Sequence, residues 1–441
     1  MKNFGFWTLT FLVVANMIGA GVFTTSGFAL ADLGSPGLVM WAWAIGGMIA
    51  IAGAFSYAML VRAMPHSGGE YLFLSRKVHP LAGFIAGWVS LIAGFSGAIA
   101  FAATAFESYV MGVWSRPHWL PEGTWAIAAI IAAGAIHGWR PRAGAWVQNL
   151  VVVMKLVLLA AVLGYAAFAM DAGDVSPEFV HGDELMTGWT LVSAMAGSLV
   201  WISLSYSGFN AAVYVADEVR DARRVVPRAL VTGTVVVVVL YVLLNAIFVY
   251  IPPAEDIVGQ ADVAAIAARS LGGAKFETFV RLTIVACLLT SVFSMMMAAP
   301  RVYAKMADDG LLPGGLRFQG ESPLAATCIQ IVLAVCLVLA SDLQGLLSYL
   351  GLTLSICAAC SVCTLLLPSV RTQAIWHPVH WLPLLYIACT LIAAAILTIN
   401  DPWQIAGTVL TFGLGAIGYG LSTSLKKQNT HAVDDHPVSS P

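Results

Sequence analysis

Uninterrupted apolar runs of about 20 residues recur along this chain, the length a helix needs to cross about 30 Å of hydrocarbon. Twelve are counted, at 6–31, 37–63, 81–113, 123–138, 146–169, 189–218, 228–251, 280–304, 324–341, 345–367, 381–399 and 403–424. In lipid every backbone polar group needs an internal partner, so a spanning chain must be helical or a closed barrel. The runs are continuously apolar rather than alternating, which selects helices. Composition agrees. Of 441 residues 59% are hydrophobic and 10% charged, where a soluble domain carries roughly 25% charged residues. A set of soluble domains is excluded, and the lipid bilayer is the expected surrounding. The net charge of -2 gives no reason to expect a nucleic-acid partner. Lys2 followed by Phe6 to Ala15 imitates a signal peptide, but the apolar run continues to about Ala31 and reads as a first span.

Basic residues orient the chain. Of the 21 lysines and arginines, sixteen lie on the side of the N-terminus and four (Arg116, Arg269, Lys275, Arg281) on the other, with Lys155 inside a span. The excess of positive charge marks the cytoplasmic side, so both termini are expected in the cytoplasm. The stretch 65–80 is expected at the cytoplasmic interface, 221–227 as a short basic connector and 252–278 as a long outer loop. The tail 425–441 is polar and expected to be disordered. All seven cysteines fall in apolar stretches, which argues against a disulfide framework. Cys357, Cys360 and Cys363 recur every three residues and read as small packing residues of a helix rather than as metal ligands. No metal and no cofactor is expected.

Two spans carry an interruption. Span one contains Gly19-Ala20-Gly21, and span six contains Ser205-Tyr206-Ser207-Gly208-Phe209-Asn210. Close helix packing would by itself account for small residues at either place. The pair is more informative, because the two segments open successive five-span blocks. Interrupted helices at corresponding positions of two halves point to a transport site. Five is an odd number, so the halves are inverted. Their half-helix ends would meet near the midplane, where an N-terminus attracts a carboxylate and a C-terminus attracts a cation.

Four stretches resemble the amino acid–polyamine–organocation (APC) superfamily of permeases: NMIGAGVF, PHSGGEYLFL, SYSGFNAAVYVADEVRDARRVVPRAL and RVYAKMADDGLLP. The likeness covers nearly all of residues 6–370. Ala20 departs from the serine common at that place; it loses a hydroxyl and keeps the backbone N–H. The resemblance implies an all-α membrane protein of twelve helices with a five-plus-five inverted repeat. The first repeat would be 1–170, the second 186–368, the extra helices 381–424, and the cytoplasmic tail 425–441. It implies a small-molecule amino acid as substrate. The substrate carboxylate would sit on N–H groups around Ala20, Gly21 and Val22. The substrate ammonium would meet carbonyls at Ile18, Tyr206 and Ser207, with Gly19 and Gly208 leaving room, Asn210 beside the break and Phe209 as an aromatic lid.

Lys155 lies about ten residues into span five, roughly 15 Å deep. An ammonium at that depth is costly and is a functional candidate by default; snorkelling to an interface does not suit the depth. In the resemblance, a lysine here stands where sodium-dependent relatives of the fold hold a cation. Its expected partners are carbonyls of residues 16–19 and a hydroxyl of Thr290, Ser291 or Ser294. Glu107, near the outer end of span three, reads either as an interface residue or as part of an outer gate. Asp217 and Glu218 are expected to pair with nearby basic residues at the cytoplasmic end of span six. All nine histidines lie in loops or at span ends, which argues against a histidine relay.

The function expected is therefore a sodium-independent amino acid permease or exchanger of a cell membrane, here a bacterial inner membrane. Neutral substrates are favoured, because position 210 is Asn and no acidic residue is expected near the midplane. A polyamine or cationic amino acid carrier and a non-transporting sensor are the alternatives. An enzyme is not expected, since no nucleotide-binding loop, metal cluster or nucleophile triad stands out. Exchange, proton symport and uniport are not separated by sequence.

Overall fold

The computed structural model describes residues 4–114, 117–139, 144–169, 187–308, 312–317, 324–371, 381–400 and 402–434. Its helices are α1 (Phe6–Met17), α2 (Gly21–Leu33), α3 (Pro36–Ala63), α4 (Gly69–Lys77), α5 (Pro80–Met111), α6 (Thr124–Trp139) and α7 (Gly144–Ala169). They continue as α8 (Gly188–Ser205), α9 (Ala222–Tyr250), α10 (Val263–Asp308), α11 (Leu324–Ala340), α12 (Leu343–Cys363), α13 (Leu382–Asn400) and α14 (Ala406–Asp434). The one β contact among the described residues is an isolated bridge between Phe4 and Val219.

Among the described residues, seven helices are long and apolar enough to cross a membrane, or eight if the bent pair α1–α2 is one span. The protein is thus an all-helical, multi-pass membrane protein. Large apolar side chains such as Trp41, Phe168 and Leu421 stand exposed on its outside, as a lipid-facing surface requires. Inside, one core joins α1, α2, α3, α5, α8, α9 and α12 through residues such as Leu9, Trp43, Tyr57, Tyr206, Tyr241 and Leu350.

Several segments are more regular than their sequences suggest. Most of the expected outer loop is helical, because Ala254–Ile257 forms one turn and α10 begins at Val263. The alanine-rich run AAIAARSL favours this, and Gly272 and Gly273 then kink α10. The expected basic connector is also mostly absorbed. Asp221 takes a left-handed conformation (φ 59°), and α9 starts at once at Ala222. Within 65–80, Gly69–Lys77 is a helix that buries Glu70, Leu72, Phe73 and Leu74. The backbone of α14 stays helical to Asp434, where disorder was expected; the Leu, Lys, Gln and Ala of this stretch are good helix formers. Residues 435–441 lie outside the described residues. In the sixth apolar run the α-helix stops at Ser205, and Ala211–Glu218 continues as a 3-10 helix that is irregular at Val215. Helix α5 contains a π-helical stretch at Ser90–Gly97.

Candidate functional site

The two interrupted helices are broken at small residues, and the breaks touch. Helix α1 ends because Ile18 turns extended (φ -75°, ψ 91°) while its N–H still reaches the Val14 carbonyl. Helix α2 restarts at a bend of 41°. Ala20 stands at its N-cap and supplies no side-chain acceptor to the first turn. Such a start presents N–H groups and the positive end of the helix dipole. In the partner break Gly208 has φ 102°. A Cβ at Gly208 would stand 2.7 Å from the Asn16 carbonyl oxygen and 3.1 Å from the Met17 nitrogen. A Cβ at Gly21 would stand 2.8 Å from Ser205 Cα. Both glycines therefore let one backbone lie directly on the other. Gly19 differs, since a Cβ there would meet nothing nearer than the Met17 carbonyl oxygen at 4.0 Å. The free space at the break lies at Gly19.

Hydrogen bonds hold the breaks in register. The Thr25 and Ser205 hydroxyls are 2.9 Å apart. Tyr241 of α9 donates to the Met17 carbonyl at 2.6 Å, occupying a carbonyl that α1 leaves free at its end. Tyr206 donates to the Trp43 carbonyl at 3.2 Å. Trp43 Nε1 donates to Ser26 Oγ at 2.8 Å, and Ser26 donates to Asn245 Oδ1 at 2.5 Å. The Trp43, Tyr206 and Tyr241 rings lie 5.2 to 5.7 Å apart. Burial without hydrogen bonds would be costly for these hydroxyls and amides.

The structure brings Ile18, Gly19, Ala20, Gly21, Val22, Tyr206, Ser207 and Gly208 to one junction. Tyr206 is buried, with its ring in the aromatic cluster. Phe209 packs edge-on against Tyr57 at 5.6 Å and Tyr386 at 6.2 Å. Lys155 is 7% exposed and donates to Ser291 Oγ at 2.6 Å, so it joins α7 to α10. No bond from Lys155 to residues 16–19 occurs among the described residues, and Tyr241 takes the Met17 carbonyl instead. The Thr290 hydroxyl is turned to the Cys287 carbonyl of its own helix at 2.8 Å. The side chain of Ser294 lies outside the described set, as does that of Glu218.

Four polar residues have roles the sequence did not disclose. Glu107 is 8% exposed and accepts from Gly123 N and Ala126 N, both at 3.0 Å. It reaches from α5 to the start of α6, where the helix dipole favours a carboxylate. Asp217 meets His66 Nδ1 at 3.3 Å and the Ser67 N–H at 3.0 Å rather than a lysine or arginine. Arg281, expected in the outer region, is buried and paired with Asp262 at 2.6 Å and Glu277 at 3.0 Å. Glu70 reaches Asn210, placing a carboxylate beside the second break where none was expected. Among the described residues, no three His, Cys, Asp or Glu side chains are grouped to hold a metal. Along α12, Cys357 is buried, Cys363 partly buried and Cys360 exposed.

An all-helical membrane chain with two interrupted helices, joined backbone to backbone at their breaks, is a transporter architecture. A sequence profile described as amino acid permease matches residues 4–417, and the chain belongs to that family. It is similar to the b(0,+)-type amino acid transporter 1 of Mus musculus, at 24% identity over 95% of this chain and 88% of the relative. It is also similar to the Asc-type amino acid transporter 1 of Homo sapiens, at 24% identity over 86% and 73%. The serine/threonine exchanger SteT of Bacillus subtilis (strain 168) is 26% identical over 77% of each chain. The protein is an amino acid permease or exchanger, a membrane transporter and not an enzyme.

Proposed function

We propose that this permease carries neutral L-amino acids by alternating access and without sodium. The substrate carboxylate rests on the N–H groups of Ala20, Gly21 and Val22, and the ammonium on the carbonyls of Ile18, Tyr206 and Ser207. The observation that carries this reading is the contact of the two breaks at Gly208 and Gly21, with the free space at Gly19. A half-helix N-terminus without a capping side chain favours an anion, and the adjoining α1 terminus favours a cation. Twelve spans in two inverted five-helix repeats, 1–170 and 186–368, with both termini in the cytoplasm of a bacterium, complete the reading.

A neutral substrate is supported by the state of Glu70. Its oxygens already accept from Tyr57, Asn210 and Tyr214, so it offers no free carboxylate to a cationic side chain. The relative named as a serine/threonine exchanger points to the same substrate class and to exchange. Lys155 stands in for a bound cation, and a titrating lysine would make protons the coupling ion. The test is counterflow in proteoliposomes with a panel of labelled amino acids. Accumulation of small or large neutral amino acids is expected. Accumulation of lysine, arginine or polyamines alone would overturn the neutral assignment, and no accumulation of any amino acid would overturn the carrier reading.

A further inference from the structure

One buried ionisable group has no part in the substrate site. Glu70 in the first turn of α4 is 6% exposed. Its Oε1 accepts from Tyr57 Oη of α3 at 2.7 Å and from Asn210 Nδ2 at 2.5 Å. Its Oε2 accepts from Tyr214 Oη at 2.5 Å. No cation faces it among the described residues. Cys357 of α12 and Tyr386 of α13 are the other titratable groups close enough to interact with it.

We propose that Glu70 is the latch of the inner gate, a positioning residue that holds Phe209 and the 3-10 segment Ala211–Glu218 closed against α3, α4 and α13. The proposal rests on the alternating-access reading. A carboxylate accepts from several donors at once, and charge-assisted bonds are the stronger kind. The donors come from α3 and from both sides of the start of the 3-10 segment, so one side chain ties three elements. Asn210 follows Phe209 directly, and Phe209 fills the space between Tyr57, Tyr386 and Gly53; a Cβ at Gly53 would meet its ring at 2.9 Å.

The neighbouring contacts pull the same way. The Tyr214 ring lies on Gly69, which has φ 55°. Ser67 and Asp217 exchange hydrogen bonds, each 3.0 Å long. The segment after the break is thus zipped to the start of α4 along its length. Moving it away strips Glu70 of its donors, and a buried charge left without partners is unfavourable. Opening therefore requires water or new partners at Glu70. Glutamine replaces it poorly, because its NH2 would meet Tyr214 Oη, which must then turn from donor to acceptor, and the charge that strengthens the bonds from Tyr57 and Asn210 is lost.

Cys357 reports on the latch, because it is 5% exposed and sits beside the carboxylate. The full-length protein, with its seven cysteines, is reconstituted and treated with an impermeant charged maleimide from the side of the termini. Modification of Cys357 is read by peptide mass spectrometry. Glu70→Gln is expected to raise its rate by roughly tenfold or more, the equivalent of one lost charge-assisted hydrogen bond. Reagent on the opposite side should show no such rise, and Glu70→Asp should fall between parent and Glu70→Gln. If Glu70→Gln does not fold, Tyr214→Phe removes one donor from the same latch and should raise the rate less. An unchanged rate in whichever variant folds overturns the proposal, as does an equal rise from both sides. Counterflow by the parent protein tests the carrier reading separately, so either can fail alone.

Discussion

The glycines at the breaks separate what the protein needs from what the substrate needs. Gly208→Ala places a side chain at φ 102°, which costs about 1–3 kcal/mol in backbone strain. The new Cβ would also stand 2.7 Å from the Asn16 carbonyl oxygen and 2.8 Å from its carbon. Backbone atoms of a helix end yield little, and such overpacking costs about 1–3 kcal/mol more. The total is about 2–6 kcal/mol, a penalty of roughly 30-fold or more on the conformation in which the breaks touch. Gly19→Ala is the matched control. Its Cβ has no protein neighbour nearer than 4.0 Å, so stability should change by no more than about 0.5 kcal/mol. If the substrate occupies that space, however, its affinity must fall. The assay pairs thermal unfolding in detergent with counterflow at matched protein amounts. Gly208→Ala should lower both Tm and transport, whereas Gly19→Ala should keep Tm and raise KM. Normal KM in Gly19→Ala would remove the substrate from Gly19, and wild-type transport by Gly208→Ala would refute the steric argument itself.

Replacing sodium by choline should leave initial uptake unchanged if Lys155 stands in for a bound cation as proposed; a strict sodium requirement would show that it has another task. Lys155→Ala should lower turnover at matched expression and across pH, with Lys155→Arg rescuing only part, since a guanidinium is larger and differently shaped; wild-type turnover in Lys155→Ala would refute this. Glu107→Gln should lower Tm by a few degrees, corresponding to about 1–2 kcal/mol for a weakened charge at the α6 N-terminus, and leave KM unchanged. An altered KM there would return Glu107 to the outer gate.

The apolar runs were legible because lipid imposes length and continuity on every span, and both breaks were legible because glycine and serine interrupt those runs. The missing information concerns partners. Glu70 is 140 residues from Asn210 and 144 from Tyr214, and Tyr241 is 224 residues from the Met17 carbonyl it meets. Nothing local distinguishes these tyrosines from aromatic residues that merely fill space. Glu70 lies in the stretch 65–80, expected only at the cytoplasmic interface, and nothing in its local sequence marks it as buried. The burial of Arg281 was hidden for a related reason. Its partner Asp262 lies before the kink of α10, and only the folded kink returns the carboxylate to the guanidinium.

Among the described residues, hydrogen bonds also sort helices into two groups. Thr25–Ser205, Ser26–Asn245, Trp43–Ser26, Tyr206–Trp43 and Tyr241–Met17 join α1, α2, α3, α8 and α9. Lys155–Ser291, Tyr303–Leu91, Gln330–Ser96 and Glu107–Ala126 join α5, α6, α7, α10 and α11. The bond from Tyr109 Oη of α5 to the Phe23 carbonyl of α2, 2.8 Å long, crosses between them. Arg281 lies 5.9 Å from the centre of the Tyr109 ring and fixes it from above. If the two groups rock as units, this bond exists in one state of the cycle and breaks in the other. Tyr109→Phe removes a neutral hydrogen bond worth about 0.5–1.5 kcal/mol, a bias of about 2- to 12-fold towards the state open at that end. Apparent affinity scales with the fraction of protein in the competent state. KM measured from the Tyr109 side should therefore fall in Tyr109→Phe, and KM from the α4 side should rise, in vesicles of opposite orientation. A lowered Tm with both KM values unchanged would mean that the bond persists through the cycle, and the division into two moving groups would then fail.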